Sequence, residues 1–140
     1  MPELDIDTLV PHRRPLRLID EILSVDGHCA TTAAIVTPDW PSFSAGTVSA
    51  LLMIELVAQT AAVVGGYKAL TAPSPTKVRM GMLVAIKQAH FEVDTLPVGA
   101  RLVTRATTHA LMENFKEIKG SVTIDDQIVC EMTLQGVQSA

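Results

Sequence analysis

One segment of this chain, Val48 to Gly66, is almost entirely apolar and long enough for a helix of about 27 Å. Because apolar residues occupy nearly every side of such a helix, other parts of the chain must cover most of its surface. Alanine and glycine are frequent in the segment, so the predicted helix is thin. The fold must therefore wrap around this segment.

The segment carries one carboxylic acid, Glu55, and Gln59 is its polar companion one turn further along the same face. Desolvation disfavours the charged form of a carboxylic acid, and proton-transfer sites use this effect. Glu55 is therefore the leading candidate for a catalytic group. The alternative is an acid at the edge of a buried helix that reaches water.

Composition limits the remaining choices. The chain has 140 residues, 48% hydrophobic and 19% charged, which predicts one globular domain over residues 1–140. A net charge of −4 argues against nucleic-acid binding. Cys29 and Cys130 lack metal-ligand spacing, so no metal or cofactor is expected. Glu55 makes a membrane span costly, and no secretory leader is recognisable, so a cytoplasmic protein is expected.

Strand patterns surround the apolar segment. Two strands are predicted before it, over Leu16–Val25 and His28–Thr37, joined by a turn at Asp26-Gly27. After it, period-two alternation predicts four strands. These comprise residues 78–93, Arg101–Met112 and two alternating runs that carry Ile118, Val122, Cys130 and Leu134. This order favours an α+β hotdog fold, in which a curved antiparallel sheet wraps around one long apolar helix.

Two motifs then resemble a known family. Residues 10–20 read Val-Pro-His-Arg-Arg-Pro-Leu-Arg-Leu-Ile-Asp, which resembles the opening of the FabZ-type 3-hydroxyacyl-(acyl carrier protein) dehydratases. Residues 54–59 read Ile-Glu-Leu-Val-Ala-Gln and are similar to the acidic helix segment of that family. The resemblance covers nearly the whole chain. It implies a hotdog dimer, commonly a homodimer that can assemble further, with an acyl tunnel beside the helix.

The resemblance also implies a reaction and its carriers. In the family a His removes the proton α to the thioester carbonyl, and the helix carboxylate protonates the departing hydroxyl. Glu55 matches that carboxylate, and Gln59 matches a Gln expected to orient or polarise. The substrate is expected on acyl carrier protein or coenzyme A, in fatty acid or polyketide-like biosynthesis.

The chain departs from the family before the helix, where members carry Gly-His-Phe-Pro-Gly. Residues 40–50 here read Trp-Pro-Ser-Phe-Ser-Ala-Gly-Thr-Val-Ser-Ala, without a His. This loop resembles the ApeP-type branch of aryl-polyene pigment clusters. Two histidines remain as candidates: His90, on the strand after the helix, and His12, for which a structural role is the simpler interpretation.

Substrate contacts are expected at two backbone segments. The N–H groups at the helix start, at Val48, Ala50 and Leu51, are candidates to polarise the thioester carbonyl. The strand after the helix begins with Gly81, Met82 and Leu83 and offers further N–H groups. Six basic residues either form a rim at the tunnel mouth or are scattered surface charge: Arg13, Arg14, Arg17, Lys68, Lys77 and Arg79.

The sequence therefore predicts a dehydratase-like lyase that forms a trans-2-enoyl thioester, with Glu55 as the acid. A hotdog thioesterase that uses Glu55 alone is the first alternative. The second is a non-catalytic acyl-binding subunit that has lost its base and pairs with an active partner.

Overall fold

The computed structural model describes residues 5–10, 16–73 and 81–138, which form two helices and eight strands. In chain order these are α1 (Ile6–Leu9), β1 (Glu21–Val25), β2 (Cys29–Ile35), β3 (Thr47–Ser49), α2 (Leu52–Thr71), β4 (Gly81–Phe91), β5 (Thr95–Pro97), β6 (Arg101–Met112), β7 (Phe115–Ile124) and β8 (Gln127–Gln138).

Six strands form one antiparallel sheet in the order β1-β2-β6-β7-β8-β4, so β1 and β4 are its edges. The inward residues of these strands are mostly apolar, with buried threonines at Thr32, Thr104 and Thr108, and α2 packs on that face, chiefly over β6, β2 and β7. β3 and β5 form a separate two-stranded sheet. A curved antiparallel sheet around one long helix is the hotdog arrangement, so the predicted α+β class is confirmed.

The long helix ends later than the sequence pattern predicts. It continues past Gly65-Gly66 to Thr71, so the predicted end at these glycines is wrong. Gly66 lies inside the helix, and its lack of a side chain lets the helix pack closely on α1. A Cβ at this position would overlap the backbone of Leu9. Within the described ranges, no helix is both long and apolar enough to span a membrane.

The helix also begins later than predicted, because its expected first residues belong to β3. Val48 pairs with Leu96 of β5, and α2 starts at Leu52. The Ser49 hydroxyl accepts a hydrogen bond from the Leu51 N–H at 3.1 Å, which satisfies one of the unpaired N–H groups at the helix start.

The segment before β1 is not a strand, although the sequence pattern predicts one from Leu16. Leu18 and Ile19 are fully buried in the core. The first residue of β1 is Glu21, and further back, at Leu16 and Leu18, the backbone bonds to the Gln59 side chain of α2. By contrast, the predicted strand Arg101–Met112 is confirmed in full as β6.

Candidate functional site

Glu55 lies in the first turn of α2, on a side of the helix that the sheet leaves partly uncovered. Leu51, one turn earlier on that side, is 63% exposed, and Ala58 and Ala62 are half-buried. Residues spaced by three or four share one helix face. The half-buried Glu55 carboxylate is therefore part of an apolar, partly open helix surface.

Gln59 is fully buried and uses both ends of its amide. Its Oε1 accepts the Leu18 N–H at 2.8 Å, and its Nε2 donates to the Leu16 carbonyl at 2.7 Å. The same Nε2 lies 3.4 Å from Glu55 Oε1, a longer and weaker contact. Gln59 thus joins the segment before β1 to the Glu55 carboxylate.

The loop before β3 closes on itself in a tight turn. Ser44 and Thr47 exchange backbone hydrogen bonds of 2.9 and 3.1 Å across a two-residue turn. Ala45 and the glycine after it have φ of 51° and 80°, which is the geometry of a primed hairpin turn. The Ser42 hydroxyl accepts the Ser49 N–H at 2.9 Å, so this serine holds the loop.

The N–H groups expected to meet a thioester carbonyl are largely engaged inside the chain. Ala50 N–H donates to the Asp94 carbonyl at 3.0 Å, and Leu51 N–H donates to Ser49. The Val48 side chain is buried in the core. A carbonyl would have to displace the partners of Ala50 and Leu51, so what this segment presents to a ligand is the exposed Leu51 side chain.

His90 lies on the outer face of the sheet, away from α2. Its neighbours Ala89 and Phe91 pack on the core, so alternation turns the imidazole outward, where its side chain is 69% exposed. Its Nε2 lies 2.6 Å from Glu92 Oε1. The structure therefore does not bring His90 to Glu55 within one subunit. It borders a polar groove of about 390 Å³, lined by Gln88, His90, Lys119, Gly120, Glu131, Met132 and Thr133.

The other histidines fall into two groups. His109 is exposed on β6, next to the inward-facing Thr108, and His28 precedes β2, where its carbonyl accepts the Thr108 N–H. His12, in the family-like opening motif, lies outside the described residues.

The predicted substrate contacts on β4 are at the sheet edge. Gly81, Met82 and Leu83 pair with the end of β8, and the Leu83 side chain is 40% exposed. The strand has a register shift just after Leu83. No other described strand pairs with its outer edge, so this edge can accept a further strand.

The basic residues do not form one rim within the described part of the chain. Arg17 pairs with Asp7 at 2.8 Å, whereas Lys68 is exposed in the last turn of α2. Burial and, secondarily, the charge of Lys68 lower the pKa of Lys116. The other expected rim residues, Arg13, Arg14, Lys77 and Arg79, lie outside the described residues. Among described residues, no group of three or more His, Cys, Asp or Glu side chains is placed to hold a metal ion.

Sequence reasoning missed the backbone partners of Gln59, at Leu16 and Leu18. A backbone group leaves no side-chain pattern, so the only available signal was a buried amide on an apolar helix, which requires partners.

The family model for ApeP-like proteins, described as ApeP dehydratase, matches residues 4–140. A 3-hydroxyacyl-[acyl-carrier-protein] dehydratase FabZ from Hydrogenobaculum is 28% identical over 141 residues, covering 96% of this chain and 92% of that protein.

Solved structures share the fold. The dehydratase heterocomplex ApeI:P from Xenorhabdus doucetiae contains a chain that matches with a TM-score of 0.88 and 19% identity, covering 99% of this chain and 93% of that one. A hypothetical thioesterase from Streptococcus pneumoniae with coenzyme A matches with a TM-score of 0.64 and 11% identity, covering 86% and 85%. The chain belongs to the ApeP-like dehydratase family, and its function is that of a 3-hydroxyacyl-thioester dehydratase-like protein.

Proposed function

We propose that Glu55 is the acid in the dehydration of a 3-hydroxyacyl thioester carried by acyl carrier protein or coenzyme A. A base removes the proton α to the thioester carbonyl, and the electron pair forms the double bond. Glu55 gives its proton to the departing hydroxyl, which leaves as water. The products are a trans-2-enoyl thioester, water and the Glu55 carboxylate. The proton held by the base later returns to Glu55 and restores the carboxylic acid.

One observation carries this proposal: Glu55 is the acid on the uncovered side of α2, and Gln59 holds its oxygen at 3.4 Å. The apolar side chains of Leu51 and Ala58 beside Glu55 suit an acyl chain, which would exclude water from the carboxylate when it is bound. Gln59 donates a hydrogen bond to the oxygen, which orients the group for proton transfer.

The base is proposed to come from outside the described residues of the subunit. His90 and His109 lie on the outer side of the sheet, and the loop before β3 contains serines and no His. β4 is an open sheet edge, so a second subunit can extend the sheet there. The expected partner is a second copy of this chain. In that homodimer His12 is a histidine candidate for the base. If the chain instead forms a heterocomplex, as the similar chain from Xenorhabdus doucetiae does, the other subunit is the proposed source of the base.

The closed loop also favours a second candidate, a subunit that binds acyl groups without catalysis. A two-residue turn fixed by hydrogen bonds fills the place where the family carries its His. Such a subunit would support an active partner and would turn over no substrate alone.

These functions separate when the protein is mixed with 3-hydroxybutyryl and crotonyl thioesters of coenzyme A and of acyl carrier protein. Enoyl absorbance reports dehydration or hydration, and a thiol reagent reports hydrolysis. We expect a change in enoyl absorbance without thiol release, and its loss in Glu55→Gln. Thiol release would instead establish a thioesterase. Neither signal from the chain alone, with Glu55→Gln unchanged, would reject a homodimer that carries its own base and favour the non-catalytic subunit.

A further inference from the structure

The outer face of the sheet carries the polar groove that His90 borders, on the side away from α2. The groove has a volume of about 390 Å³ and crosses β7, β8 and β4. Two rows of cross-strand neighbours form its walls: Lys119, Thr133 and Gln88 in one row, and Ser121, Glu131 and His90 in the next. Between the rows, Gly120 has no side chain and Met132 is buried in the core, so backbone forms the floor.

Two charges face this groove from opposite walls. Lys119 lies on one wall and Glu131 on the other, and both residues are exposed. Within residues 5–10, 16–73 and 81–138, neither side chain forms an ion pair. The charged groups beside the groove are already paired inside the chain, Lys87 with Glu117 and His90 with Glu92. The groove therefore presents one cation and one anion that are available to a partner.

One cation and one anion on opposite walls make the groove complementary to a second copy of itself. Lys119 and Glu131 are diagonal neighbours on adjacent strands, with α-carbons about 7–8 Å apart. In a two-fold contact a residue of one copy meets a different residue of the other, and symmetry repeats that contact. A two-fold axis along the groove places each wall against the opposite wall of the second copy. Each Lys119 then meets a Glu131, and two ion pairs form.

The remaining groups of the groove suit the same contact. The side chains of Thr133, Gln88 and His90 can form hydrogen bonds between the facing walls. The two facing grooves enclose a polar space that water can fill, as in many contacts between proteins. Charge complementarity in such a contact fixes its register and excludes arrangements that bring like charges together.

We propose that this groove is the contact surface through which two copies of the chain bind each other, outer face against outer face, by two Lys119–Glu131 ion pairs. The contact is independent of the proposed reaction, because Glu55 lies on the other side of the sheet and stays accessible. It is also distinct from the open edge at β4, where a further strand would extend the sheet in its own plane.

Sedimentation velocity at low ionic strength tests this contact, because it measures the mass of the assembly and needs no substrate. The wild type should have twice the mass of Lys119→Glu and of Glu131→Lys, since each reversal leaves two like charges in every groove. An equal mixture of the two variants should regain the wild-type mass, because a groove with two acids then faces a groove with two lysines. Salt at about 1 M, where the Debye length is about 3 Å, should weaken the wild-type association.

Lys68→Glu and Glu113→Lys are the matched controls, because they reverse exposed charges outside the groove, at the end of α2 and in the turn between β6 and β7. Both should keep the wild-type mass. A wild type with the mass of the single groove variants would overturn the proposal, and so would a mixture that stays at the mass of its components. An equal loss of mass in the controls would also overturn it, since net charge and not the groove would then govern assembly.

Discussion

The Gln59 amide nitrogen lies 3.4 Å from Glu55 Oε1 and 2.7 Å from the Leu16 carbonyl oxygen. One buried side chain therefore connects the candidate acid to the segment that precedes the first strand. Gln59 Oε1 also accepts the Leu18 N–H, so the same amide both anchors the segment before β1 and contacts the candidate acid.

Gln59→Leu should destabilise the protein by about 1–3 kcal/mol, because it leaves the buried Leu18 N–H without a partner and removes the bond to the Leu16 carbonyl. Urea unfolding measures this change. Gln88→Leu, on the exposed side of β4, is the control and should cost less than about 0.5 kcal/mol. Equal effects of the two substitutions would show that the Gln59 bonds contribute little to stability.

Gly120→Ala should cost about 1–3 kcal/mol, since the added methyl group overlaps the Val57 side chain. Val57→Ala in the same protein should recover part of this loss, because the two groups compete for one space. Gly27→Ala meets nothing within 4 Å and should change stability little. If Gly120→Ala and Val57→Ala add without coupling in thermal or urea unfolding, β7 does not approach α2 as described.

Ala45→Gly should stabilise the protein by about 0.5–1 kcal/mol. Ala45 has a φ of 51°, a region that is costly for alanine and accessible to glycine. The same substitution at Ala62, inside α2, should destabilise by about 1 kcal/mol. The free energies of unfolding of the two variants should therefore change in opposite directions. A loss of stability in Ala45→Gly would contradict the turn geometry.

The free energy of unfolding should fall as the pH rises from about 9 to about 11, because the Cys130 thiol is buried. Burial, and secondarily the charge of Glu131, raises the pKa of Cys130 from 9.0 to about 11. In this window the thiol loses its proton in the unfolded state and keeps it in the folded state. The contribution of the thiol to stability is therefore complete below pH 9 and is lost as the pH rises to about 11. One thiol accounts for about 2 kcal/mol.

Unfolding free energies of the wild type, Cys130→Ala and Cys29→Ala at both ends of this window measure the effect. Cys29→Ala should keep the wild-type difference, and Cys130→Ala should show a smaller one. Identical differences in all three proteins would mean that Cys130 is not desolvated in the native state.

The fold was predictable from sequence because two hydrophobic patterns agree. A helix apolar on most sides needs a wrapped sheet, and alternation marks strands such as Arg101–Met112 to the residue. The helix bounds were less predictable. Gly66 looks like a terminator locally, but its meaning depends on Leu9, which is distant in sequence and close in space.

The site was predictable only in part. Glu55 stands out because an acid is rare on such a helix. The partners of Gln59 and the outward direction of His90 depend on tertiary contacts and on strand register, which the sequence alone does not fix.

The central claim is that Glu55 transfers the proton to the departing hydroxyl, and enoyl formation from 3-hydroxybutyryl thioesters tests it most directly. Glu55→Gln should lower kcat by about 100-fold or more, because general acid catalysis is lost, while the Kd for crotonyl thioester changes little. Glu131→Gln, on the outer face of β8, should keep the wild-type rate. Equal rates of enoyl formation by the wild type and Glu55→Gln, in an assembly that forms the enoyl product, would contradict the claim.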